Sequence, residues 1–172
     1  MWKKRKEGLN KNNIAVTVKY SPSVMVWGCV SASGVGNLVE INTKMDAKLY
    51  VKIIENNLYD SAERMGIRDN FVFQSDNDPK HTSRLAKNWF SENQVEQIEW
   101  PPQSPDLNII EHLWDELDRA VPQSERKSIA GFKKALFESW EQIGHEVIDR
   151  LIKSIPKRLE EVIKANGGNT NY

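Results

Sequence analysis

Residues 73–114 read FQSDNDPKHTSRLAKNWFSENQVEQIEWPPQSPDLNIIEHLW, and the order of patterns in this stretch decides the fold. The apolar run Asn70 to Gln74 (NFVFQ) that leads into it predicts a short strand buried on both faces. A helix from about His81 to Glu92 follows, with Leu85, Trp89 and Phe90 inward, and Val95 to Trp100 returns as a strand. A strand, a helix and a second strand in that order imply two parallel strands joined by a crossover. Pro101, Pro102 and Pro105 impose a stiff, extended connection, and Pro105-Asp106 opens an amphipathic helix carrying Leu107, Ile110, Glu111, Leu113, Trp114 and Leu117.

Working outward, residues 14–20 (IAVTVKY) and 24–30 (VMVWGCV) are rich in β-branched residues. The Gly-containing SASGVG turns the second of them into Asn37 to Ile41, which predicts a hairpin spanning 14–41. From an N-cap at Asp46, the residues Tyr50, Val51, Ile54, Leu58, Ala62 and Met65 recur at helical spacing. Ser124 is placed to cap a further helix with Ile129, Phe132, Leu136, Trp140 and Ile143 on one face. Two shorter helices then end at Asn166-Gly167-Gly168, a glycine stop signal. The whole reads as one α/β domain over residues 1–172, with a helical C-terminal part.

A chain of 172 residues is the size of one domain and can bury roughly 70% of its unfolded surface. Lys plus Arg and Asp plus Glu both number 24, so net charge favours neither nucleic acid nor membrane as partner. The basic run Lys3-Lys4-Arg5-Lys6, and Arg126, Lys127, Lys133, Lys134, Arg150, Lys153, Lys157 and Arg158 in the C-terminal third, fit either solvated faces or a DNA contact. The one cysteine, Cys29, has no internal disulfide partner, which fits a reducing compartment. Without an apolar run of about 18 residues or a signal-peptide pattern, the expectation is a soluble, intracellular protein with no membrane partner.

Asp76 ends an apolar strand, and the carboxyl ends of strands in open α/β sheets are where ligands collect. The bland reading is equally visible, since Asp76-Asn77-Asp78-Pro79 is good turn chemistry. Glu111, with 34 residues between it and Asp76, borders the apolar stripe of its helix, where a bare carboxylate is costly to desolvate. A shared divalent cation offsets that cost, because hard cations take oxygen ligands and keep several waters. A salt bridge from Glu111 to Lys80 or Arg119 does so too. His81 is placed to orient Asp76, to contact DNA, or merely to bond at a helix N-terminus, and Asn77 and Asn108 are placed as orienting donors for the carboxylates. Asp46, Asp78, Asp106 and Asp115 read as cap, turn, cap and solvent-facing residues. A zinc site is excluded by one cysteine and three scattered histidines (His81, His112, His145), and no glycine-rich phosphate loop is present.

The motifs QSDNDPKHT and WPPQSPDLN, with the Asp76 to Glu111 spacing, resemble the catalytic domain of the Tc/mariner superfamily of DNA transposases. The similarity runs from Trp2-Lys3 through TVKYSPSVMVWGC to GGNTNY. It implies an RNase H-like fold with an Asp-Asp-Glu triad, of which Asp76 is the second member and Glu111 the third. It also implies Mg²⁺ or Mn²⁺ as cofactor in a two-metal site with ions about 3.5–4 Å apart. Transposon ends and TA target DNA are the implied partners, with a homo-oligomer or full-length transposase as possible protein partners and the nucleus as location. Ile109 stands where the family usually has Pro, a change that leaves Glu111 in place.

In that family the first Asp lies some tens of residues upstream of the position of Trp2, on the central strand of the sheet, and helix-turn-helix domains precede it. The resemblance therefore implies a fold lacking its first strand, with exposed strand edges, a split core, weak metal binding and little activity. Two classes stay open: part of a transposase catalytic domain, or a non-catalytic remnant or regulator that binds DNA or a transposase.

Overall fold

The computed structural model describes residues 23–102 and 104–167. Strand β1 (Val26–Ser31) turns through Ala32-Ser33 into β2 (Gly34–Glu40), and the two pair antiparallel with Val26 opposite Glu40 and Ser31 opposite Gly34. The register slips between Gly28 and Val30, so Cys29 faces an extra residue in β2. The expected strand at 14–20 lies outside the described residues.

Alternation along the hairpin builds two half-cores. Trp27, Cys29, Val39 and Ile41 pack on one face with α1 (Ala47–Arg64) and α2 (Arg84–Glu92), around Tyr50, Ile53, Ile54, Leu58, Ala86 and Phe90. Val26, Val30, Val35 and Leu38 pack on the other with α3 (Ile109–Ala120), α4 (Ile129–Glu141) and α5 (His145–Lys164). The split core is thus two clusters with the hairpin between them. Among the described residues β1 pairs with β2 alone.

Asp46 caps α1 as the sequence predicts, its carboxylate accepting from Leu49 N at 2.8 Å. Two glycines are set by close approach. A Cβ on Gly36 would lie 2.6 Å from Ser61 Cβ on α1, and one on Gly28 would lie 2.9 Å from Trp114 and 3.0 Å from Trp140. Those indoles stack at 5.2 Å, and Trp140 Nε1 donates to Gly36 O at 2.8 Å, tying α4 to β2.

Several boundaries differ from expectation. Residues 70–74 and 95–100 do not form full strands: a single parallel bridge, Phe73 to Gln97, joins them through Phe73 N to Glu96 O (2.8 Å) and Ile98 N to Phe73 O (3.1 Å). Val72 and Ile98 are each 52% exposed, so one face of the pair is uncovered rather than buried. Helix α2 starts at Arg84, capped by Ser83, because Asp78 O accepts from His81 N and Thr82 N and holds that segment in a turn. Pro105–Leu107 is one 3₁₀ turn; Asn108, at ψ 105°, breaks it from α3, so Leu107 and Asp106 stand outside that helix. Ser124 has helical dihedrals and cannot cap, whereas extended Ser128 accepts from Gly131 N at 3.0 Å and caps α4. The two short C-terminal helices are one, α5, which runs through Pro156.

Candidate active site

Asp76 follows the Phe73 bridge, at the end of the segment that lies under α1 and α2. Its Oδ1 accepts from Asp78 N at 3.1 Å, an Asx turn, and meets His81 Nδ1 at 2.6 Å. The His81 ring also lies tilted against Tyr50, with centroids 4.2 Å apart. Asp76 and Glu111 both line one cleft of about 490 Å³ between the two half-cores, with Gln74, His81 and Asn108 on its wall.

Glu111 stands in the first turn of α3 and is more exposed than its place beside the apolar stripe predicts. Partial desolvation still pushes its carboxyl above the ordinary glutamate value, the negative charges of Asp76 and Asp115 add to that, and His112 partly offsets it. Neither proposed salt-bridge partner is used: Lys80 pairs with Asp78 at 2.5 Å and Arg119 with Glu116 at 3.1 Å. Two carboxylates therefore repel across one cleft with no cationic side chain between them among the described residues.

The remaining predicted residues separate. Asn77 Nδ2 donates to Trp100 O at 2.8 Å and braces the returning segment. Asn108 is buried on the cleft wall, and its Oδ1 has no hydrogen bond among the described residues. The same holds for His81 Nε2 and Gln74 Nε2, so buried polar atoms without a partner among the described residues collect around this cleft. Gln74 was legible in principle, since residues i and i+2 of an extended chain share a face with Asp76. Tyr50 was not; only tertiary packing brings α1 here, and burial pushes its phenol well above the ordinary range, with Ser75 opposing and the charges of Asp76 and Asp78 adding. No group of three or more His, Cys, Asp or Glu side chains able to hold a metal occurs among the described residues. No described helix is long and apolar enough to cross a membrane.

A family model described as DDE superfamily endonuclease matches residues 5–131. The transposase of element Tcb1 from Caenorhabditis briggsae is 46% identical over 158 residues, 91% of this chain and 57% of that protein. The Tc1 transposase of Caenorhabditis elegans is 43% identical over 157 residues with the same coverage, and the Tc3 transposase of that species is 30% identical over 152 residues, 87% of this chain and 46% of that protein. The chain thus spans about half the length of these relatives, from 46% to 57%. The crystal structure of the catalytic domain of Mos1 mariner transposase superposes with a TM-score of 0.75 at 23% identity, over 88% of this chain and 78% of that one. The Mos1 paired-end complex with Mn gives 0.77 at 22% identity, over 98% of this chain and 52% of that one. The fold is RNase H-like, and the chain belongs to the DDE superfamily endonucleases, within the Tc/mariner transposases.

Proposed function

We propose that this chain supplies part of the metal-dependent DNA-cutting and joining centre of a cut-and-paste transposase, with Asp76 and Glu111 as its metal-holding carboxylates. The reading is supported by their convergence on one cleft, close enough for the charge of Asp76 to raise Glu111. Hard oxygen donors of this kind suit Mg²⁺ or Mn²⁺, and the unsatisfied Gln74, His81 and Asn108 atoms suit the waters such an ion keeps. The Mos1 catalytic domain has been solved with Mg and with Mn, and Mos1 in paired-end and strand-transfer complexes. Asp76 and Glu111 would hold such an ion, which would supply Lewis-acid activation of a water or 3′-hydroxyl and stabilisation of the leaving oxygen of a phosphodiester. His81 and the Asp78 amide fix the Asp76 carboxylate for that task. The substrate on this reading is transposon-end and target DNA, and the place of work is the nucleus.

With two carboxylates, more of the coordination falls to water, so binding is weak. Calorimetric titration of Mn²⁺ into the wild type, Glu111→Gln and Asp76→Asn tests this. Heat should be detectable for the wild type and reduced for both variants; equal heats from all three would remove the assignment.

A further inference from the structure

Glu111 follows a turn closed by backbone bonds alone, Leu107 N to Ser104 O at 3.3 Å, Asn108 N to Pro105 O at 3.0 Å and Glu111 N to Asn108 O at 3.2 Å. Asn108 occupies the N-cap of α3 without a side-chain capping bond. A side-chain grip on this turn comes from α5. Arg158 on α5 is 5% exposed; its Nη1 donates to Asp106 O at 2.9 Å and contacts His112 Nε2, while its Nε donates to Ser154 Oγ at 2.7 Å. The two anchors on the α3 side bracket Glu111, one in the 3₁₀ turn before the helix and one at the next residue along it.

Burying a guanidinium is costly unless its donors are satisfied, and its planar fork reaches two acceptors where a lysine ammonium offers one point. With 3.6 residues per turn, pinning His112 to α5 fixes the azimuth at which its neighbour Glu111 leaves the helix. We propose that Arg158 is a positioning residue that sets the rotation of the first turn of α3 and so aims Glu111 across the cleft at Asp76. The inference rests on Asp76 and Glu111 being the metal-holding pair. A role confined to docking α5 would make Arg158 matter for stability and not for the cleft.

The test measures Mn²⁺ affinity by calorimetry and melting temperature for the full chain and for Arg158→Gln, Arg158→Lys, Glu111→Gln and the double variant Arg158→Gln/Glu111→Gln. Arg158→Gln should weaken Mn²⁺ binding about 10–100-fold, as loss of an orienting group does. Arg158→Lys should restore little of it, and Arg158→Gln should add no further loss in the Glu111→Gln background. A folded Arg158→Gln chain with wild-type Mn²⁺ affinity overturns the inference, as does full additivity of the two substitutions. If Arg158→Gln does not fold, His112→Ala removes the grip beside Glu111 while keeping the bond to Asp106, and is judged by the same affinities. Failure of the underlying reading looks different: Glu111→Gln and Asp76→Asn then bind Mn²⁺ like the wild type, and the inference falls with it.

Discussion

Two glutamates on this molecule respond to pH with opposite signs. Glu111 is held above the ordinary glutamate value, so the folded state binds its proton more readily than the unfolded chain. Its penalty is absent below the ordinary value, near pH 4.3, and grows as pH rises through the folded value. Glu141 is the reverse: paired with both terminal nitrogens of Arg64, its carboxyl is held below the ordinary range, and its stabilisation is present above that range and lost as pH falls through the lowered value. Glu111→Gln should therefore raise the urea midpoint at neutral pH and Glu141→Gln should lower it, with both differences from wild type shrinking on acidification. Both groups are solvent-accessible, so the effects are modest. Midpoints that shift in the same direction would contradict this assignment of charges. At this scale the sequence read well where a role is local: Asp46 caps and Asp78 turns because both bonds reach only two or three residues along the chain. It read poorly where the role is a partner's choice, as when Lys80 and Arg119 took other carboxylates and left Glu111 without a cation.

Between elements, Trp140 is the principal tie. It is fully buried, stacks on Trp114, and donates to Gly36 O, so α3, α4 and the hairpin meet at one indole. Trp140→Phe keeps an aromatic ring but leaves the Gly36 carbonyl unpaired, and should cost about 1–3 kcal/mol in urea unfolding. Gly28→Ala should cost a similar amount, about 1–3 kcal/mol, by driving a methyl into both indoles. A wild-type midpoint for Gly28→Ala would mean that the tryptophan pair yields freely. Pro156 shows why helix boundaries were hard to read. Proline removes one helical donor, which predicts a break, yet α5 continues because Ile148 and Leu151 before it and Arg158 after it are all anchored in the same interface.

For the whole molecule, the structure revises the electrostatic argument for DNA contact. Of the basic residues in the C-terminal third, Arg126 pairs with Asp118, Lys133 with Glu40, Lys134 with Glu138, Arg150 with Glu116 and Lys153 with Asp149, while Arg158 is buried. Pairing of these side chains should lower the number of phosphates the face neutralises. Non-specific DNA affinity should then come mainly from Lys3-Lys4-Arg5-Lys6, with log K falling by about 0.9 per phosphate neutralised for each decade of salt. In gel shifts across a salt series, replacing those four residues by Ala should flatten the slope, whereas Arg150→Ala/Lys153→Ala should leave it unchanged; the opposite pattern would return the contact to α5.

The sequence by itself determined the helical stretch after Asp46 and its cap, the alternation of the hairpin and the spacing that marks Asp76 and Glu111, because each of these depends on neighbours within a few residues or on motifs written in one stretch. Only the tertiary structure decided that residues 70–74 and 95–100 meet in a single bridge, that α5 survives its proline, that Tyr50 joins the cleft wall, and that Arg158 leaves the surface to brace the turn bearing Glu111. These depend on which faces are covered and which charges find partners, and contacts across 46 or 52 residues are set by packing, not by pattern.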